Sequence, residues 1–364
     1  GIKGGIDMST INSRNLWAIA TDPVYIGTGG YTIGRVDNTI VRDPITKIPK
    51  IPGTSLAGTW RYYTVLCLHS LLKEDYRIDR SKRKEVENIE ELFKQKGTKG
   101  WKLFEGNRYA AIKCAGQDEA PTSEYIKGSY KDGHCGSCIV CKSFGYSKQG
   151  DSWQGMLFFS DFNILLFPVY TRRGVKWITS SRILQDAGLL AEKSDAEMPP
   201  EDMVVCHEQP DKKTNGWINL GWLNLPYTVN KDIIEGINLS PLSSFKIQHK
   251  DIYVVSDSLV SQIINSNLEV RTSVSIDPLT GAAKKKALFT SEAIPRATVF
   301  YGNIRILDKS MFINKQNRLP STSEITSALT ASKHFYETMG IGGMTTRGFG
   351  RLRIEIQPGG DGDD

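Results

Sequence analysis

Four cysteines fall at the spacing C-x20-C-x2-C-x2-C, as Cys114, Cys135, Cys138 and Cys141. Two adjoining C-x2-C steps put three thiols on one tight loop, and a distant fourth completes the tetrahedron that structural zinc prefers. Gly133 and Gly136 ease the turns of that loop. His134 is the substitute donor if Cys114 is not a ligand. The competing reading is a set of reduced cysteines on a loop. Four protein ligands leave no position for a catalytic water, so such a zinc is structural. Cys67, inside an apolar helical pattern, is expected in the core, and Cys206 fits either role.

Asp37 follows the glycine-rich GTGGYTIG and stands between Arg35 and Arg42. A carboxylate among arginines can hold a divalent cation beside a phosphodiester or orient a nucleophile. It can equally be a plain salt bridge or cap. GTGGYTIG is no dinucleotide fingerprint, because the surrounding βαβ pattern and the following helix are missing. The five histidines, at 69, 134, 207, 249 and 334, are never at ligand spacing with one another, which argues against a histidine acid and base pair. Near the end of the chain, GIGGMTTRGFG places Gly342, Gly343 and Gly348 beside Arg347 and Arg351. Unshielded backbone N–H groups of that kind let a phosphate backbone approach, and they serve a tight turn equally well. TGAAKKKA gathers Lys284, Lys285 and Lys286, either as a solubility device or as a contact to nucleic-acid phosphates.

Those residues need elements to position them. Residues 13–20 pattern as a strand, VDNTIVRD alternates like a second, and a proline turn leads into a helix that Thr54 or Ser55 can cap. The stretch 73–96, with eight basic and seven acidic residues at helical spacing, is expected to be a solvated helical insertion. Two apolar runs around Asp161 suggest paired buried strands, whereas 196–250 resists assignment. A helix at about 257–267, a long hairpin around PLTGAAKKKA with a strand after it, a helix at about 322–338 and the strand RLRIEI complete the order. Strands and helices interleaved with hairpins predict an α+β fold, such as a ferredoxin-like sheet with large insertions.

Across 364 residues, 39% hydrophobic and 24% charged residues exclude a disordered chain. The longest apolar runs, MLFFS and FNILLFPVY, fall short of the roughly 18 residues a spanning helix needs, so no membrane segment is expected. Six cysteines are too few for a disulfide scaffold, and a reducing cytoplasm is the expected compartment. Residues 1–7, before Met8, are expected to be an expression remnant, and 358–364 a disordered tail.

The run DPVYIGTGGYTIGRVDNTIVRDPITKIPKIPGTSLAGTWR resembles the N-terminal motif of RAMP proteins, the repeat-associated subunits of CRISPR-Cas effectors. RTSVSIDPLTGAAKKKALFTSEAIPRATVFYG resembles the thumb of their backbone (Cas7-type) subunits, and GIGGMTTRGFGRLRI their glycine loop and last strand. SDFNILLFPVYTRRGVKWITSSRIL is similar to a segment of the repeated type III-B backbone subunit. The cysteines followed by SFG are also similar to the zinc motif of the type III-A backbone.

The resemblance implies one RRM-like (ferredoxin-like) domain over 8–357, with the insertion at 73–96, a zinc loop at 114–145 and a protruding thumb at 269–302. It implies partners too: CRISPR RNA, complementary target RNA, copies of the chain itself in a filament, and other type III effector subunits. Asp37 matches the family's catalytic aspartate, which aligns the target's 2′-OH for attack with magnesium or another divalent cation assisting; Glu292 matches a family glutamate that supports the site or the thumb base. Ser55 and Arg61 match guide-contacting positions, whereas Ala57 stands where the motif has lysine and Tyr25 where some relatives have histidine. The alternative reading is a non-catalytic RNA scaffold. Windows 35–61, 269–305 and 333–353 together carry 15 basic and six acidic residues, so the +6 chain reads as a basic track on a slightly acidic body.

Overall fold

The computed structural model describes residues 11–29, 36–72, 100–110, 112–116, 134–148, 151–190, 202–209, 216–312 and 318–357. The expected insertion at 73–96 and both expected tails, 1–7 and 358–364, lie outside the described residues.

Among the described residues, a mixed sheet of eleven strands organises the chain. One end of it is antiparallel, in the order Leu352–Ile356, Ile11–Ala20, Val299–Leu307, Phe162–Thr171. Strand alternation sends Leu16, Ala18 and Ala20 to one face and Trp17 to the other. Helices Gly53–Leu72 and Thr322–Ser332 supply Leu56, Trp60, Ile325 and Leu329 to the first face. Leu184, Leu189, Ile234 and Leu242 cover the second. Cover on both faces explains why FNILLFPV is nearly unbroken in its apolarity instead of alternating. A bulge opposite Val299 and Phe300 turns the adjacent Leu165 and Leu166 both into the second core.

The two apolar runs around Asp161 are not paired with each other. Leu157–Phe159 and Phe162–Thr171 follow one another along the same neighbour, Val299–Leu307, interrupted at Ser160 and Asp161. The interruption has a use: the Asp161 carboxylate accepts from the Gly53 N–H at 2.8 Å and pairs with Lys50 at 2.7 Å. The first helix is therefore capped from a break between strands 108 residues away, and Thr54 and Ser55, the expected caps, lie inside it. Only glycine fits at Gly53, because a Cβ there would meet the Phe159 carbonyl oxygen at 2.8 Å.

VDNTIVRD forms isolated bridges instead of a strand: Gly27 to Ile40, Asn38 to Ser291 and Arg42 to Pro49. Its successive residues bond to different segments, so no ladder extends. The stretch that resisted assignment supplies Val204–Cys206, Trp217–Leu220 and Leu223–Val229, which prolong the sheet beyond Gly174–Ser180 and Ile252–Val255. Cys206 is core; its thiol donates to the Glu208 carbonyl, and burial pushes it up to about 12. The long hairpin pairs Glu269–Ile276 with Ala283–Ala293 apart from the main sheet, and Val299 already belongs to that sheet. A capping box at Ser321 and Glu324 starts the last long helix. Instead of reaching 338 it breaks after Ser332, whose hydroxyl bonds back to the Ala328 and Leu329 carbonyls, and resumes as His334–Thr338. Among the described residues, no helix is long and apolar enough to cross a membrane.

Burial alone would raise the Asp161 carboxyl; the bonds from Lys50 and Gly53 outweigh it and hold it low. Its stabilisation is therefore complete above the ordinary aspartate range and lost as pH falls through the depressed folded value. Asp161→Ala should lower the unfolding free energy by about 1–2 kcal/mol, the usual cost of a lost cap. A urea midpoint unchanged at neutral pH would contradict that role.

Candidate functional site

The segment around Asp37 lies along the base of the hairpin. The Asp37 carboxylate accepts from the Thr290 N–H at 2.7 Å and its hydroxyl at 3.0 Å, while Asp37 N–H donates to that hydroxyl at 3.1 Å. Asn38 then pairs with Thr290 and Ser291 through backbone and side chain. Asp37 is nevertheless exposed, and the hydrogen bonds from Thr290 hold its carboxyl below the usual value. It stands ionised at neutral pH, fixed at one oxygen, Oδ2, with the group open to solvent.

Glu292 is placed differently from Asp37. Its carboxylate is nearly buried, pairs with Arg42 Nη2 at 2.6 Å and lies 3.5 Å from the Ile40 N–H. Arg42 also donates to Asn265 Oδ1 at 2.9 Å and the Ile40 carbonyl at 3.1 Å. These two residues clamp the loop to the hairpin; the Arg42 guanidinium is committed inside the protein, not offered to phosphate.

The glycine loop meets the opposite side of the first loop. Gly343 N–H donates to the Tyr25 carbonyl at 3.0 Å, and Gly350 N–H to that of Pro23 at 2.8 Å. Gly342 sits at φ +83°, where a Cβ would meet the Tyr25 carbonyl oxygen at 2.2 Å, so its glycine is required by packing. Gly348, at φ +79°, has open space in front of it, beside exposed Arg347. Arg351 pairs with Asp22. Arg271 of the hairpin lies 4.7 Å over the Phe349 ring, which ties the hairpin to the glycine loop. Burial raises the Tyr25 hydroxyl, so it stays protonated and does not replace a histidine base.

Of the other expected RNA contacts, Arg35 lies outside the described residues. Lys284, Lys285 and Lys286 lie on the Ala283–Ala293 strand, and their side chains are outside the described set. Ser55 is half-buried in the first turn of its helix. Arg61 is turned away from the Asp37 cluster: its guanidinium reaches the Cys114 carbonyl at 2.6 Å, the Gly145 carbonyl at 2.7 Å and His134 Nδ1 at 2.9 Å. Thr290, Asn38 and Arg271 escaped the sequence reading, although Thr290 lies two residues before Glu292 in the same LFTSEAIP run.

Arg61 instead braces the cysteine cluster. The sulfurs of Cys114, Cys135, Cys138 and Cys141 lie within 4.8 Å of one another, and these residues could hold a metal such as zinc. Backbone N–H groups of Cys138 and Cys141 point at the sulfurs of Cys135 and Cys138 at 3.2 and 3.5 Å. The hydrogen bond from Cys135, with those from its other neighbours, holds the Cys114 thiol well below its ordinary value, while burial pushes the Cys138 thiol well above its own. His134 is adjacent, with Nδ1 4.0 Å from the Cys141 sulfur, but that nitrogen faces Arg61, so Cys114 and not His134 completes the set. Metal analysis of untagged protein should return about one zinc per chain, and Cys138→Ser should abolish it. Metal-free protein with an unchanged unfolding midpoint would contradict a structural metal.

Comparison with known proteins places this fold. A chain of the type III-B Cmr-beta complex bound to cognate target RNA is similar, with 16% identity, a TM-score of 0.51, and cover of 94% of this chain and 96% of that one. A chain of the apo Cmr-beta complex has 13% identity and a TM-score of 0.54, covering 95% and 97%. Oligomeric Cmr4 from Pyrococcus furiosus has 16% identity and a TM-score of 0.50, covering 95% and 98%. At these identities the likeness is one of fold. No curated protein matches the chain. The sequence matches the RAMP superfamily over residues 18–353, nearly the whole length, and the chain belongs to that superfamily.

Proposed function

We propose that this chain is the repeated backbone subunit of a type III CRISPR effector, most like the III-B kind, which binds guide RNA in the cytoplasm and cleaves complementary target RNA at regular intervals through Asp37. The strand order at one end of the sheet supports a ferredoxin-like core: last strand, first strand, Val299–Leu307, Phe162–Thr171, with the two long helices on one face. The separate hairpin is read as the thumb, and the cysteine cluster as a structural zinc site.

The observation that carries the catalytic reading is an ionised, exposed carboxylate locked at the foot of that hairpin by both polar groups of Thr290. A carboxyl held below its ordinary value is a weak base at neutral pH. Asp37 therefore orients more than it abstracts. The 2′-oxygen of the target attacks the adjacent phosphorus as its proton leaves to solvent, the bond to the 5′-oxygen breaks, and that oxygen takes up a proton. The products are a cyclic phosphate and a 5′-hydroxyl, and DNA is inert because it lacks the attacking group. One carboxylate with a substrate phosphate fits magnesium, which keeps most of its waters; when bound it would offset phosphate charge. Asp37 would hold it.

The bonds to Thr290 also favour a second reading, a non-catalytic scaffold in which Asp37 only ties the loop to the hairpin. Asp37→Asn separates the two, since an amide oxygen keeps accepting from Thr290 while the charge is gone. Target cleavage by the assembled complex in magnesium should fall on the order of 100-fold or more, with guide binding and assembly unchanged. Cleavage at the parental rate would leave the scaffold reading.

A further inference from the structure

Beside the four cysteines lies a fifth side chain able to bind metal. His134 is 1% exposed, and its Nδ1 lies 4.0 Å from the Cys141 sulfur, inside the 4.8 Å span of the four sulfurs themselves. Three cysteines with one histidine make as ordinary a zinc set as four cysteines do. Nearness and ligand chemistry therefore leave the choice between Cys114 and His134 open. What separates them is how each meets Arg61.

Arg61, on the helix Gly53–Leu72, reaches both residues. Its Nε donates to the Cys114 carbonyl at 2.6 Å, its Nη1 donates to the Gly145 carbonyl at 2.7 Å, and its Nη2 lies 2.9 Å from His134 Nδ1. A guanidinium carries donors only, so Nδ1 is the acceptor at that contact and the ring proton sits on Nε2. The Nδ1 lone pair that a metal needs is thus already aimed at Arg61. Turning the ring toward the sulfurs strands the Nη2 donor, and Arg61 cannot follow, because its planar fork is pinned by two carbonyls. One of those carbonyls belongs to Cys114, so the side chain that holds the histidine ring away also holds the rival ligand in. Charge works in the same direction. Zinc with four thiolates is doubly negative, and with three thiolates and a neutral imidazole only singly so, which means that a fixed cation beside the cluster favours the four-thiolate set.

We propose that Arg61 selects the ligands of this centre: it commits the site to Cys114, Cys135, Cys138 and Cys141 and keeps His134 as a latent donor that binds metal only when Arg61 is removed. Arg61 is a positioning residue, acting through Cys114 and His134 without touching the metal. The inference rests on the reading of the cluster as a metal centre and is independent of the role of Asp37.

The test loads the untagged full chain with cobalt(II), whose absorption reports how many thiolates are bound, and measures affinity by competition with a chromophoric chelator. The parental chain should show the spectrum of four thiolates. Cys114→Ser should weaken binding by about tenfold or more, because Arg61 still withholds His134. Adding Arg61→Met, which keeps the length of the stem and none of the donors, should win back about tenfold or more, now with the spectrum of three thiolates and one imidazole. Adding His134→Ala to that pair should abolish the recovery. A double variant that does not recover, or a recovery that survives His134→Ala, overturns the proposal. Nitrogen NMR of the zinc-loaded parental chain needs no variant to fold: His134 should carry its proton on Nε2 and leave Nδ1 bare of both proton and metal, and a proton or metal on Nδ1 overturns the proposal as well. A parental chain that binds no cobalt overturns the metal reading along with the inference, whereas a parental chain that binds it while the double variant fails overturns selection by Arg61 alone.

Discussion

The arrangement depends on the docking of residues 37–42 along the base of the long hairpin. Asp37, Asn38, Ile40 and Arg42 each bond to Thr290, Ser291 or Glu292, more than 240 residues further along the chain. The Arg42 to Glu292 pair is the least replaceable link, because both charges are largely withdrawn from water and removing either strands the other. The docking fixes where the hairpin leaves the sheet and which way the Asp37 carboxylate faces. The glycine loop then adds to the same junction through Tyr25 on one side and the Arg271 to Phe349 stack on the other. Three segments from the beginning, the late middle and the end of the sequence thereby share one corner.

Behind that corner the sheet is rigid because it is buried twice. The two long helices cover one face and the turns around Leu184 and Leu242 the other, so a strand such as Ile11–Ala20 cannot tilt without disturbing both cores. The braces of Asp161 and Arg61 work in the same way: each joins a helix to a loop distant in sequence. A site on such a frame keeps its geometry while a long polymer passes over it, which suits a protein proposed to hold RNA.

How much of this was legible depended on sequence distance. The cysteine cluster could be read because three of its members lie within seven residues, and their spacing alone dictates a shared centre. The glycine loop and Asp37 were visible as motifs, but not their reasons: Gly342 is needed because Tyr25 packs against it, and Asp37 is held by Thr290. Arg61 and Arg42 have reasons of the same hidden kind. A lone arginine in a basic window reads as a phosphate ligand, and its protein partners, Cys114, His134 and Glu292, are brought in only by the fold. The strands between 204 and 229 were hidden because they are short and built from turn formers and aromatics, with burial supplied by neighbours.

The central claim is that the target RNA supplies its own nucleophile at the Asp37 corner. Its most direct test is a target RNA with one 2′-deoxy nucleotide immediately 5′ to a single mapped cut, incubated in magnesium with the assembled complex. The account predicts that this cut disappears while cuts at the other intervals continue, each leaving a cyclic phosphate and a 5′-hydroxyl. Undiminished cleavage at the deoxy position would show that water is the nucleophile and would contradict it.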